Sequence, residues 1–230
     1  MDTFFSPHHF RASLPAIWQG FQINLKMMAI AEVLVLLWAL VLVLMRVAPG
    51  RVGLPFRAVA IAYLDFFRGI PLVLIFLFVG FGLPGAGVAP FSGMSLFQLA
   101  ILSLVLAYGA YVAEVYRAGI EGVHWGQMAA ARSLGLSYAQ AMRHVILPQA
   151  IRRVIPPLLN DFISLQKDTA LAALIGIVEG ANAAQIYAGA TFNATSYVGV
   201  ALFFVAITIP LARLVDWLVG RDQRRLRAQA

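Results

Sequence analysis

Seven ionisable side chains stand inside otherwise apolar runs of this sequence: Glu32, Asp65, Arg68, Glu114, Asp161, Lys167 and Asp168. Each costs roughly 2.5–3.5 kcal/mol at bilayer depth, so each needs a partner, a water-filled cavity or a ligand. The chemistry open to them is recognition of charge rather than covalent catalysis. The chain has no cysteine, hence no thiol nucleophile, thiolate metal site or disulfide. It has no H-E-x-x-H pair, and its histidines, His8, His9, His124 and His144, are neither in mid-run nor at metal-ligand spacing. His8 and His9 are expected to be solvated. No G-x-x-x-x-G-K-S/T loop is present to cradle nucleotide phosphates, so energy for uphill work must come from another chain or an ion gradient.

The elements that must position these groups are membrane spans. Of 230 residues, 61% are hydrophobic and 12% charged, about half the charged share of a soluble domain. The net charge of +7 does not indicate nucleic acid: Lys26 and Lys167 are the only lysines, and the arginines are scattered between apolar runs. The N-terminus, mixed polar and aromatic, does not read as a cleavable signal. The pattern predicts an all-α integral membrane protein, one transmembrane domain over residues 1–230, with five spans at 27–45, 58–82, 96–115, 154–178 and 197–219. Arg68-Gly69-Ile70-Pro71 interrupts the second span, and Pro156-Pro157 is expected to kink the fourth.

Arginines set the orientation. Arg46, Arg51, Arg57, Arg117, Arg132, Arg143, Arg152, Arg153 and the tail residues Arg221, Arg224, Arg225 and Arg227 fall on one side of such a layout. The loops on the other side, Leu83–Ser95 and Glu179–Ser196, contain no Lys or Arg. The positive-inside rule then puts the C-terminus in the cytoplasm and the N-terminus outside, with Arg11 and Lys26 running mildly against the trend. Ser13–Phe21, with Trp18, is predicted to lie in the outer interface as an amphipathic helix.

The cytoplasmic stretch 117–153 contains the most informative segment, Gly126 to Ala150. It reads as two short helices around a tight turn. Gly135 can adopt φ > 0 just past a helix end. Ser137 and Gln140 form a capping box that opens the second helix. Leu134, Tyr138, Ala141, Met142 and Val145 follow one helical face. Arg143 and His144 suit the negative end of the helix dipole, and Pro148 is expected to end the pattern. A rigid cytoplasmic helix-turn-helix of this kind is a docking element.

Ala129-Ala130-Ala131 with Gly135, then nine residues and Val145-x-Leu147-Pro148, resembles the EAA loop of binding-protein-dependent ABC importer permeases. Phe67-Arg68-Gly69-Ile70-Pro71-Leu72, Ala113 to Ile120, Ile146 to Ala150 and Phe162 to Leu171 are similar to the polar amino-acid uptake branch, whose permeases serve histidine, glutamine, arginine and glutamate. The resemblance runs from about Gly20 into the fifth span. It implies a type I importer permease fold in a bacterial inner membrane. It also implies a second permease subunit, homo- or heterodimeric, and two cytoplasmic ATPases that bind ATP and Mg, this chain binding no cofactor itself. An extracytoplasmic amino-acid-binding protein would deliver the solute, and transport would proceed by alternating access. The family's first EAA position is usually Glu; here Ala129 stands there, so an acidic contact to the ATPase is missing from this subunit. The resemblance assigns the coupling role to Gln127, Ala129, Ala130, Ala131, Arg132, Gly135, Ser137, Arg143 and Pro148, with Arg132 or Arg143 open to charge contacts.

A zwitterionic solute needs a cation for its carboxylate and an anion for its ammonium. Asn160 and Lys167 share a helical face, with Gln166, Asp168 and Thr169 beside them, so these residues are pathway candidates; the alternative is that Lys167 pairs with an intramembrane acid. Arg68 could contact a carboxylate or gate the path, or pair with Asp65 three residues back. Glu114 is also a pathway candidate, though pairing with Arg117 accounts for it. Glu32 is open to either use. Among rival classes, a channel needs a filter that the Leu83–Ser95 loop does not supply, and an ion-driven carrier usually shows internal repeats that are absent here.

Overall fold

A computed structural model of the chain describes residues 3–227, with side chains placed through Arg221. Arg224, Arg225 and Arg227, used above for orientation, lie outside the described side chains. All regular structure among the described residues is helical.

Helix α1 runs from Pro7 to Arg46, opened by a Ser6 cap and a proline in its first turn. Its 40 residues span about 60 Å, roughly twice the hydrocarbon thickness. The separate interfacial helix expected over Ser13–Phe21 does not form. That segment is the start of α1, because its apolar face continues in step: Ser13, Ile17, Gly20, Phe21, Asn24, Met27, Ala31 and Val35 are all buried. Phe21 stacks on Phe203 at 5.3 Å and meets Phe204 edge-on at 5.1 Å.

The second run is not one straight span. Helix α2 (Leu54–Gly69) ends at Ile70, which is extended at φ −101° and ψ 133°. Helix α3 (Leu72–Leu77) then continues through a π-helical turn, Phe78–Gly82, into α4 (Leu83–Gly85), and the two halves meet at 107°. Pro71 causes the break: its ring forces the preceding residue out of the helical region and removes a backbone donor.

Helix α5 (Leu96–Glu121) starts at a Ser95–Gln98 capping box. Helices α6 (Trp125–Ser133) and α7 (Tyr138–Ala141) follow. Pro148 does not end the helix. A π-helical turn, Met142–Ile146, carries the chain into α8 (Leu147–Asp168), with Pro148 in the first turn of α8. The wider π turn accommodates a residue without an N–H. Pro156 and Pro157 remain inside α8, which gives way at Thr169 to a 3₁₀ stretch, Thr169–Ile175, closed by Gly176 at φ +93°. The loop expected over Glu179–Ser196 is mostly helix α9 (Gly180–Thr191), and α10 (Thr195–Arg227) completes the chain.

Among the described residues three helices are long and apolar enough to cross a bilayer, and five spans result if each bent pair crosses as one. The core lies between α1 and α5. Met27, Ala31, Val35, Ala39 and Leu42 face Leu99, Leu104 and Ala107. Gly109 lets Trp38 lie against α5: a Cβ there would be 2.5 Å from the Trp38 ring. Trp38 Nε1 donates to Tyr63 Oη at 2.8 Å, and Tyr63 Oη donates to the Leu106 carbonyl at 2.7 Å, linking α1, α2 and α5.

Candidate functional site: an exposed turn and an acidic cavity

The turn between α6 and α7 is built from local chemistry. Gly135 sits at φ +86°. Its N–H donates to the Arg132 carbonyl, and the Leu136 N–H reaches back to the Ala131 carbonyl. Arg132 Nη1 donates to the Leu136 carbonyl at 2.9 Å, so this guanidinium braces the turn. Ser137 and Gln140 exchange cap hydrogen bonds as the spacing predicts. Gln127 accepts from Gln149 at 3.4 Å, joining α6 to the base of α8.

The expected common face of this segment divides in two. Ala141 is buried and Met142 and Val145 are half-buried, but Leu134 is 84% exposed and Tyr138 62% exposed. The turn rotates Leu134 and Tyr138 away from the bundle. Trp125, at 77%, and Ala129 and Ala130 are exposed as well, so this segment presents apolar side chains to its surroundings. Arg143 is exposed too.

The second feature is a cavity of about 280 Å³, near the lower end of ligand-pocket volumes. It opens where the α2–α3 break leaves Phe67 and Ile70 facing α5 and α8. Its polar wall comes from Tyr108 and Tyr111 of α5 and from Asp161, Ser164 and Asp168 of α8. The three α8 residues are at i, i+3 and i+7, one face of the helix. Tyr108 Oη donates to Asp168 Oδ2 at 2.6 Å. Asp161 Oδ2 is buried with no hydrogen-bond partner. No Lys or Arg lines this cavity. A wall with two carboxylates, three hydroxyls and no cation suits a ligand that brings donors or positive charge.

The other sequence candidates fall in three places. Asp65, Arg68, Asn160 and Lys167 are exposed, and among the described residues the expected Asp65–Arg68 pair does not form, nor does Lys167 pair with an acid. Glu114 lies in the C-terminal half of α5, 2.8 Å from Arg46 and 2.7 Å from Arg117, and Arg117 also pairs with Glu121. Gln166 and Thr169 face inward: Gln166 Oε1 accepts from Thr208 at 3.2 Å, and Thr169 Oγ1 accepts from Asn24 at 3.0 Å. His9 is not simply solvated, for its Nδ1 lies 3.1 Å from Tyr187 Oη.

Sequence reasoning missed Tyr108, Ser164, Asn24 and Glu179. A tyrosine or serine within an apolar helix carries no signal of its own. Asn24 and Glu179 are buried at 2% and 0% exposure and meet across 155 residues of chain.

The probable glutamine ABC transporter permease protein GlnM of Bacillus subtilis is 40% identical over 171 residues, 74% of this chain and 77% of that protein. The glutamate transport system permease protein GluC of Corynebacterium efficiens is 38% identical over 174 residues, 72% and 73% of the two chains. A crystal structure of an amino acid ABC transporter with histidines superposes with a TM-score of 0.81 at 33% identity, covering 90% of this chain and 94% of that one. The sequence matches the family description along residues 47–228, and with these relatives it establishes that the chain belongs to the binding-protein-dependent transport system inner membrane components.

Proposed function

We propose that this chain is the permease subunit of an ATP-driven importer that carries a polar amino acid across the cytoplasmic membrane, and that the solute's ammonium group docks in the Tyr108–Asp161–Asp168 cavity. The observation that carries the site is the pairing of two carboxylates with no cation among the cavity-lining residues, one of them with a buried, unpartnered oxygen. Tyr108 holds Asp168 by donating to it, which leaves Asp161 to meet the ligand. Lys167, Asn160 and Arg68, exposed and each next in sequence to a lining residue (Asp168, Asp161 and Phe67), are the candidates for a carboxylate contact.

Exposed Asp65, Arg68, Asn160 and Lys167 cannot face acyl chains without a large penalty. They face water in the pathway or a second permease subunit, either a copy of this chain or a homologue. The exposed apolar side chains Trp125, Leu134 and Tyr138 dock a cytoplasmic ATPase, which binds ATP and Mg. With Ala129 in place of glutamate, that contact rests on packing, with Arg143 at its edge. The N-terminus lies outside, where a separate binding protein delivers the solute. ATP-driven closure of the ATPases moves the 127–148 segments, and the permease pair alternates between outward and inward opening.

The test is uptake of radiolabelled L-glutamine, L-glutamate and L-arginine by cells with and without the chain, and with Asp161→Asn or Asp168→Asn. Loss of either carboxylate should raise KM for the carried amino acid about tenfold or more, the scale of a hydrogen bond to a charged group. Unchanged KM in both variants would remove the cavity from the pathway.

A further inference from the structure

Asp168 is followed directly by Thr169, where α8 gives way to the 3₁₀ stretch. Thr169 is fully buried and held on two sides. Its hydroxyl donates to the Gln166 carbonyl at 2.7 Å and accepts from Asn24 Nδ2 at 3.0 Å. The same Asn24 amide donates to Glu179 Oε2 at 2.9 Å, and Asn24 Oδ1 accepts from the Gly180 N–H at 2.9 Å. Glu179 caps α9, accepting from the Ala181 and Asn182 N–H groups at 2.9 and 2.7 Å. The buried carboxylate therefore has acceptor contacts on both oxygens, and it makes no ion pair among the described residues. The backbones also touch: a Cβ on Gly20 would lie 2.6 Å from the Glu179 carbonyl carbon. Three elements distant in sequence thus meet at one buried point.

We propose that Asn24 and Glu179 are positioning residues for the solute site: as a buried clasp on Thr169 they fix the rotation of the end of α8, which turns Asp168 into the cavity and Lys167 outward. Successive helical residues are about 100° apart, so a Thr169 held against α1 leaves Asp168 no freedom to point elsewhere than toward Tyr108. The wild-type hydrogen-bond directions are unique. Asn24 cannot flip its amide, because its oxygen is committed to the Gly180 N–H. Glu179→Gln must turn its amide donor either on Asn24 and Ala181 or on the Asn182 N–H, since all three donate to the carboxylate. The inference rests on the cavity being the solute site, and the test separates the two.

The chain has no cysteine, so Lys167→Cys introduces a single thiol whose reaction with an impermeant cationic methanethiosulfonate reads the position of the helix end. Two measurements on the intact transporter in cells are needed: labelling of this thiol and, in chains that keep Lys167, KM for labelled glutamine, glutamate and arginine. Glu179→Gln should raise KM about tenfold at unchanged abundance and change the labelling rate several-fold. Asn24→Ala removes the donor to both Thr169 and Glu179 and should raise KM and change the labelling rate as Glu179→Gln does. Unchanged labelling in Glu179→Gln would overturn the clasp. So would lower abundance with unchanged KM, or unchanged labelling in Asn24→Ala. Asp168→Asn serves as the control for the site: if it leaves KM unchanged, the cavity reading falls, while the labelling still decides whether the clasp sets the helix end.

Discussion

Gly135 offers the cleanest perturbation of the docking turn. It sits at φ +86°, and no heavy atom lies within 4 Å of where a Cβ would be. A larger side chain therefore meets open space, and the only cost is conformational. For a residue that resists the left-handed region this cost is about 1–2 kcal/mol. That shifts the turn's population by a factor of roughly 5–30. Asparagine tolerates the same region, while valine does not. Gly135→Val should therefore lower substrate-stimulated ATP hydrolysis in membrane vesicles roughly 5–30-fold, and Gly135→Asn should retain most of it. Immunoblots of the vesicles would confirm equal amounts of the chain. Wild-type coupling in Gly135→Val would refute the reasoning. Equal damage in both variants would show that the partner needs the space at position 135, not the backbone angle.

Other outcomes follow from the same geometry. Leu134→Ala with Tyr138→Ala should reduce co-isolation of the ATPase markedly, and the contact should persist at high salt because Ala129 offers no charge to screen. Glu114→Gln weakens the contacts to both Arg46 and Arg117 and should lower the thermal midpoint of the detergent-solubilised complex by a few degrees. Tyr63→Phe leaves Trp38 Nε1 without its acceptor and should destabilise by about 0.6–1.7 kcal/mol, read by the same melting experiment.

The docking turn was legible because its determinants are local: one glycine past a helix end, and a serine with a glutamine three residues on. The acids of α8 were legible as charges in an apolar run. Their convergence with Tyr108 was not, since it depends on α5 packing 60 residues away. The break at Pro71 was visible, but its 107° angle was not. Pro148 misled, because a π turn can absorb a proline that an α turn cannot. Helix α9 was hidden by its composition, since Gly180, Asn182 and Gly189 read as loop, and the Glu179 cap that starts it looks like an ordinary loop acid. The Asn24–Glu179 pair joins distant segments, and no spacing rule reaches that far.

The most direct test is uptake by proteoliposomes containing the intact complex isolated through this chain, supplied with its binding protein outside and ATP inside. The account predicts that a labelled polar amino acid accumulates only with both present, and that the accumulation survives collapse of ion gradients. Accumulation that needs an ion gradient and ignores ATP would contradict it.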